Sequence, residues 1–259
     1  MSGLRIAAIR LLCPDPRKTA RFFEQAFDAP SDVADSTVTV TIGEMCVELV
    51  QTPAPVAPPQ PSNATSFQHF AIVVTDMDAA MQRLGCVTGW TPISRAGPEL
   101  LPASSGGVMA FKFRDPDGHP LELLAFAQGK MPASWSARSG LFLGVDHTAI
   151  TVAETDRSIA FYAGLGFTVS SRGSNRGIEQ ERLDDVATSM VEVTGLTPPG
   201  GQPPHLELLC YRQPGPLRAE LRDDAVLATR TVMVIEPGPA SHGKSADLMD
   251  PDGHRLSVG

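Results

Sequence analysis

Basic residues are scarce in this chain, and no apolar run reaches membrane-spanning length. The second absence removes any helical anchor. The opening MSGLRIAAIRLLCPDP is broken by Arg5, Arg10 and Pro14, unlike a secretory signal, and reads as a first strand. With 21 Lys and Arg against 29 Asp and Glu, the net charge is -8. Binding a phosphate backbone draws on clustered cations, so nucleic acid is set aside as a partner, as is a membrane. Cysteine is also sparse. Cys13, Cys46, Cys86 and Cys210 form no CxxC pair and sit singly in apolar runs, which fits buried free thiols in a reducing cytoplasm. The chain has no nucleophile elbow, Walker loop, dinucleotide fingerprint or HExxH, so hydrolase, nucleotide-binding and zincin classes lack support. What remains is a chain of 259 residues, 42% apolar, long enough for one large domain or two small ones.

An internal repeat organises it. Asp115-Pro116-Asp117-Gly118-His119 recurs as Asp250-Pro251-Asp252-Gly253-His254. Pro second and Gly fourth suit a type I turn between two strands. At the end of such a turn His119 and His254 are expected on the solvent side. A second repeat lies upstream, where LRIAAIRLLCPDPRKTARFFEQAFDA aligns with LGVDHTAITVAETDRSIAFYAGLGF once Phe22-Phe23 is laid on Phe161-Tyr162. Each piece is a strand followed by a helix, started at Asp15 before Pro16 in one and at Thr155 or Asp156 in the other. Gly164 and Gly166 stop the second helix. A third copy, SFQHFAIVVTDMDAAMQRLGC, has Asp76 as N-cap. Strand-like stretches follow each helix, giving βα and then two or three β three times over. A fourth copy is shortened, and no full helix is expected between Val234 and Lys244. Module boundaries fall near 1–60, 61–128, 140–212 and 225–259. The proline-dense stretch 52–66 reads as an exposed link, 128–140 separates the halves, and 197–204 is a long hairpin loop.

The segments FRDPDGHPLELLAF, LMDPDGHRLSVG, FQHFAIVVTDMDAA and GVDHTAITVAETDRSIAFY resemble the vicinal oxygen chelate superfamily. It includes glyoxalase I, extradiol dioxygenases, and fosfomycin and bleomycin resistance proteins. The resemblance covers nearly the whole chain and is strongest to two-domain glyoxalase-like members, which carry a stretch similar to SNRGIEQERLD. It implies an α+β fold of paired βαβββ modules closing two funnel-like half-barrels, 1–128 from modules one and two and 140–259 from modules three and four. It also implies metal ligands on the first and last strands of each module. In the N-terminal pair those positions hold Ala8, Glu48, His69 and Glu122. Alternation puts Cys46, Glu48 and Val50 on one strand face and His69 with Ala71 and Val73 on another. A lone carboxylate within LELLAF is costly unless a cation compensates it. Glu48, His69 and Glu122 are therefore expected to bind one divalent ion, Zn, Ni, Mn or Fe, with Glu48 or Glu122 as catalytic base. Ala8 leaves the fourth ligand place of glyoxalase I empty.

The C-terminal pair offers only His147 and Glu207, with Thr229 and Ser257 opposite, a weaker second site that His205 does little to complete. This half is expected to serve as a funnel wall, a homodimer contact or a substrate lid. Asn175, Glu179 and Gln180 either face a pocket there or, as the preferred expectation, lie in a solvated loop. Three functions compete. A metal-dependent lyase or isomerase moves a proton next to a chelated carbonyl of a small substrate. An extradiol dioxygenase needs two histidines and one carboxylate around iron, and the N-terminal pair has one histidine. A non-enzymatic drug-binding protein needs no metal ligands.

Overall fold

The computed structural model describes residues 4–34, 37–54, 56, 58–219, 222–235 and 246–259. Module one runs β1 (Leu4–Cys13), α1 (Pro16–Phe27), β2 (Ser31–Ala34), β3 (Thr37–Ile42) and β4 (Met45–Gln51). Module two runs β5 (Gln68–Val74), α2 (Met77–Gly85), the two-residue strands β6 (Thr91–Pro92) and β7 (Glu99–Leu100), then β8 (Met109–Arg114) and β9 (Pro120–Ala125). A single turn, α3 (Ala133–Ser136), leads into module three: β10 (Phe142–Thr151), α4 (Thr155–Gly164), β11 (Thr168–Arg176), α5 (Ile178–Asp184), β12 (Met190–Thr197) and β13 (His205–Gln213). Module four supplies β14 (Arg230–Ile235), β15 (Ala246–Met249) and β16 (Arg255–Val258). The helix expected to be missing there falls on 236–245, outside the described residues.

Local signals explain the helices. Asp15 caps α1 by accepting from the amides of Arg17 and Lys18, with Pro16 at the first helical position. Asp76 caps α2 through the amide of Ala79. The N-cap of α4 is Glu154, one residue before the expected pair. Phe23 and Phe27 of α1 pack against Phe70 and Phe113, so this helix joins one core shared by strands of both sheets. Gly43, at φ +62, is required where the β3–β4 turn meets β10, since a Cβ there would stand 2.5 Å from the Leu143 carbonyl oxygen.

The modules pair differently from the sequence expectation. The sheets run β15-β16-β14-β1-β4-β3-β2 and β11-β12-β13-β10-β5-β9-β8-β6. Thus β1 pairs antiparallel with β14, and β5 with β10. The outer modules, one and four, share one sheet; the inner modules, two and three, share the other. Neither half of the chain closes a funnel by itself. The physical reason lies in the two connecting segments that change sheet. The link 52–66 and the segment after β13 run side by side, with the Thr65 amide on the Leu217 carbonyl at 2.8 Å and the Leu217 amide on that of Asn63 at 2.8 Å. Asn63, far from exposed, is buried and donates its side-chain amide to the Gly215 carbonyl.

The histidines of the repeated turns are also a correction. His119 and His254 are buried, at 0% and 6% exposure. Asp115 Oδ1 accepts from the amides of Asp117 and His119, and Oδ2 lies 2.8 Å from His119 Nδ1. His119 Nε2 then reaches the carbonyls of Val226 (2.9 Å) and Leu12 (3.0 Å), the latter near the end of β1. His254 Nε2 does the same to Thr151, at the end of β10. Each turn is thereby fastened to the first strand of another module, which a hairpin read by itself does not reveal. Cys86 likewise proves exposed and Cys46 half-buried, whereas Cys13 and Cys210 are buried as expected.

His119→Ala is expected to destabilise the protein by about 2 kcal/mol or more, because buried acceptors lose their donor. Burial alone would lower the imidazole pKa, but the facing Asp115 and its hydrogen bond raise it above the ordinary 6.5. A raised folded pKa gives stability that is full below the unfolded value and lost as pH rises through the folded one. Urea unfolding from pH 5 to 9 should therefore show the wild-type margin over His119→Ala widest below about pH 6.5 and shrinking above it. A margin that widened with pH would refute this role.

Candidate metal centre

In the inner sheet, alternation divides each strand cleanly. Phe70, Ile72 and Val74 of β5 enter the main core, as do Leu121 and Leu123 of β9 and Leu206, Leu208 and Cys210 of β13. The residues between them face the funnel: His69, Ala71, Glu122, Glu207, Leu209 and Tyr211. The register repeats itself. Ala71 pairs with Glu122 and Ala149 with Glu207, while His69 and His147 each stand two residues earlier on their strands. Across the seam His69 pairs with Ala149 and Ala71 with His147. The small alanines leave room for the side chains beside them.

Four ligand-type side chains therefore meet. His69 Nε2 is 2.8 Å from Glu122 Oε2. His147 Nε2 is 3.8 Å from Glu122 Oε2 and 3.7 Å from Glu207 Oε2. Donor atoms of His69, Glu122 and His147 all lie within 4.8 Å of one another. Asp146 holds His147 from behind, its Oδ2 3.1 Å from Nδ1, and itself accepts from the Trp135 indole at 3.0 Å. A carboxylate on one ring nitrogen aims the other at the ligand position. His205 stands 3.3 Å from Glu207 Oε1, beside the group.

Glu48 is not among them. It lies on β4 of the outer sheet, where Arg10 Nε donates to it at 2.8 Å. The expected N-terminal trio is thus divided by the pairing of the modules, and the residues assigned to the weaker site, His147 and Glu207, join His69 and Glu122 instead. The outer sheet repeats the same register: Ala8 pairs with Val232, Arg10 with Arg230 and with Glu48, and Val232 with Ser257. Its four equivalent places hold Ala8, Glu48, Arg230 and Ser257. Arg230, not Thr229, is the counterpart of His147, and a fixed guanidinium on Glu48 takes the place of a cation.

Electrostatics single out the inner group. Burial would raise the pKa of Glu122, but Lys112, His147 and His69 hold it well below the usual carboxylate range. Glu207, also pushed up by burial and by Glu122, is brought below its ordinary value by His147 and His205. Burial would lower His147, yet Glu207, Asp146 and Glu122 raise it well above ordinary histidine. His69 falls, through burial and the Lys112 charge. The half-buried Glu207 and Asp146 and the buried Glu122 thus favour the protonated form of His147. Two imidazoles and one carboxylate with donor atoms within 4.8 Å of one another, and a second carboxylate beside His147, are donors of the kind that fit a divalent ion.

A polar cluster adjoins this group that the sequence reading left in a solvated loop. Gln180 and Asp184 sit on α5 and are buried. Lys112, directly across from Glu122 on β8, gives Asp184 Oδ1 a 2.6 Å ion pair. Tyr211 and Gln180 both donate to Asp184 Oδ2, at 2.7 and 2.6 Å. IEQERLD carries no helical signal that could have found it, since its only apolar residues, Ile178 and Leu183, stand five apart. The group and the cluster line one cavity of about 370 Å³, with Leu101, Val108, Leu124 and Phe126 as its apolar wall. A further cavity of about 430 Å³ lies at the Asp250 turn, where that carboxylate is already engaged by the amides of Asp252 and His254.

No helix among the described residues is long and apolar enough to cross a membrane. No curated protein matches the chain. Solved structures do. Glyoxalase I from Zea mays aligns at a TM-score of 0.60 with 18% identity, over 99% of this chain and 92% of its own. A point variant of the same enzyme aligns at 0.59 and 18%, over 99% and 94%. The fosfomycin resistance protein FosX from Mesorhizobium loti aligns at 0.36 and 21%, over 47% of this chain and 91% of its own. At these identities the maize alignment speaks for the fold. The family model for the Glyoxalase/Bleomycin resistance protein/Dioxygenase superfamily matches residues 5–123 and 144–258, and the chain belongs to that superfamily.

Proposed function

We propose that His69, Glu122 and His147 hold one divalent ion beside Glu207, and that the protein is a lyase or isomerase that moves a carbon-bound proton next to a carbonyl of a small substrate with neighbouring oxygens. The observation that carries this reading is the convergence of His69, Glu122 and His147, whose donor atoms lie within 4.8 Å of one another on one wall of the 370 Å³ cavity, with Glu207 beside them at 3.7 Å from His147. An ion held there supplies a Lewis acid that polarises the carbonyl and acidifies the adjacent C–H. His69, Glu122 and His147 would hold the ion, and with three protein donors it would have room for a pair of vicinal substrate oxygens.

The residues around it divide the work. Glu122 is buried, at 7% side-chain exposure, and held ionised by Lys112, which suits a permanent ligand. Glu207 is more open, at 22%, and faces the same cavity, so it is the better placed base. Lys112 adds positive charge beside Glu122 and stabilises negative charge developing on a substrate oxygen. Asp146 keeps His147 oriented. The apolar wall excludes water from the reacting carbon.

A second reading, the extradiol dioxygenase, gains from the structure, because His69 and His147 meet and the objection of a single histidine falls. The trio within 4.8 Å, His69, Glu122 and His147, is itself a two-histidine, one-carboxylate set; against the reading stands Glu207, a further carboxylate 3.7 Å from His147. Elemental analysis of purified protein, with proton exchange of hydroxyacetone in D2O followed by NMR, separates the readings. The proposal expects about one Zn, Ni, Mn or Fe per chain and C–H exchange about 10²-fold or more above solvent. Oxygen uptake with catechol and no exchange would favour the second. Protein that takes up no metal would defeat both.

A further inference from the structure

Gln180 lines the cavity, and its amide oxygen has no partner in the protein. Gln180 is 4% exposed, and its Oε1 is a buried acceptor that nothing in the protein satisfies. The orientation of the amide is dictated by chemistry: Asp184 Oδ2, at 2.6 Å, is already claimed by the Tyr211 hydroxyl and accepts, so the amide must present Nε2 to it and turn Oε1 away. Asp184 cannot swing aside. It is tied to Lys112 Nζ, and its own carbonyl accepts from Ser62 Oγ at 2.7 Å. The preceding turn of α5 is pinned as well, with the Leu183 carbonyl on Ser94 Oγ and the Arg182 carbonyl on the Arg95 amide. A rigid, buried, unsatisfied acceptor in the cavity that also holds His69, Glu122, His147 and Glu207 is a place for a ligand donor.

We propose that Gln180 is a specificity-determining residue, selecting substrates that carry a neutral hydrogen-bond donor, a hydroxyl, beyond the two oxygens that meet the metal group. A carboxylate at that place would face the lone pairs of Oε1. A hydroxyl donates without bringing a new charge into a buried site where Lys112 and Asp184 already balance each other, so the class is a polyhydroxylated α-hydroxy carbonyl compound. This inference rests on the metal reading above, and its test separates the two.

Cobalt(II)-loaded protein reports chelators by its visible absorption, without reference to turnover. Two matched pairs serve as probes: glycerate against lactate, and 2,4-dihydroxybutyrate against 2-hydroxybutyrate. Within each pair the chelating oxygens are the same and one member carries an extra hydroxyl, one or two carbons farther out. Wild-type protein should bind the hydroxylated member of at least one pair about tenfold more tightly, since the other leaves the buried acceptor unpaired. Gln180→Met, which keeps volume but removes the acceptor, should bring the ratio near unity while the cobalt spectrum stays unchanged. Gln180→Asn, which withdraws the amide by one carbon, should move the preference toward the longer pair and serves should the first variant fail to fold. Cobalt bands without preference in either pair, or a preference that survives Gln180→Met, would overturn the role of Gln180 alone. Absence of cobalt bands would overturn the metal reading and this inference with it.

Discussion

Glu122→Gln is expected to lower affinity for a divalent ion by more than a hundredfold and to reduce hydroxyacetone proton exchange to the solvent rate, with the fold retained. The change keeps shape and removes the charge that faces His69 at 2.8 Å and His147 at 3.8 Å. Losing an outer partner of a metal ligand costs about 10- to 100-fold in affinity, and losing a ligand costs more. The contrast with Glu48→Gln is the informative part. That variant breaks only the half-exposed Arg10 pair, worth about 1 kcal/mol or less, so metal content should equal that of wild type. Calorimetric titration with Zn or Ni, together with elemental analysis, checks both. If Glu48→Gln lost metal while Glu122→Gln kept it, the inner sheet would not be the metal centre.

Asp184→Ala should be the most damaging single change to stability. It removes the carboxylate on which Lys112, Tyr211 and Gln180 all converge, with Lys112 and Asp184 side chains 5% and 0% exposed. Breaking a buried pair from one side costs about 3–5 kcal/mol, because the surviving charge is left without compensation. In a chain of this size that corresponds to a fall in Tm of roughly 6–20 °C. Burial alone would lower the Lys112 pKa, but Asp184 and Glu122 raise it above the ordinary value, so Lys112 stays charged and the loss is felt at neutral pH. The double variant Lys112→Met with Asp184→Ala should lose less than the sum of the two single changes, since neither charge is left buried alone, although Tyr211 and Gln180 still lose their acceptor. Differential scanning calorimetry on wild type, Lys112→Met, Asp184→Ala and the double variant closes the cycle. Additive losses would show the pair to be uncoupled.

The repeat pattern was sufficient for the elements. Asp15 before Pro16, Asp76 before Met77, and alternation in VMAFKFR and HLELLCY locate α1, α2, β8 and β13, because caps and strand faces are local properties. The same alternation correctly places His69 with Ala71 and Val73. The turn histidines show the limit of local reasoning. A hairpin turn is exposed by default, and only the packing of another module against it buries His119 and His254. Helix α5 fails for a related reason, since its only apolar residues, Ile178 and Leu183, stand five apart and give no helical stripe, and Asp184 is held in the interior by Lys112 on a distant strand.

The sequence by itself determined three strand-helix-strand modules with a shortened fourth and, through the spacing within each, one imidazole and one carboxylate in modules two and three that point to the same face. It could not determine which modules share a sheet. The modules are near-equivalent, and each first strand can pair with the first strand of any other, so local preference is silent between the alternatives. Tertiary structure decided it by laying the two sheet-crossing segments side by side, so that β5 meets β10 and β1 meets β14. That choice brings His69 and Glu122 to His147 and Glu207 and leaves Glu48 to Arg10, so side chains expected at two separate sites gather at one.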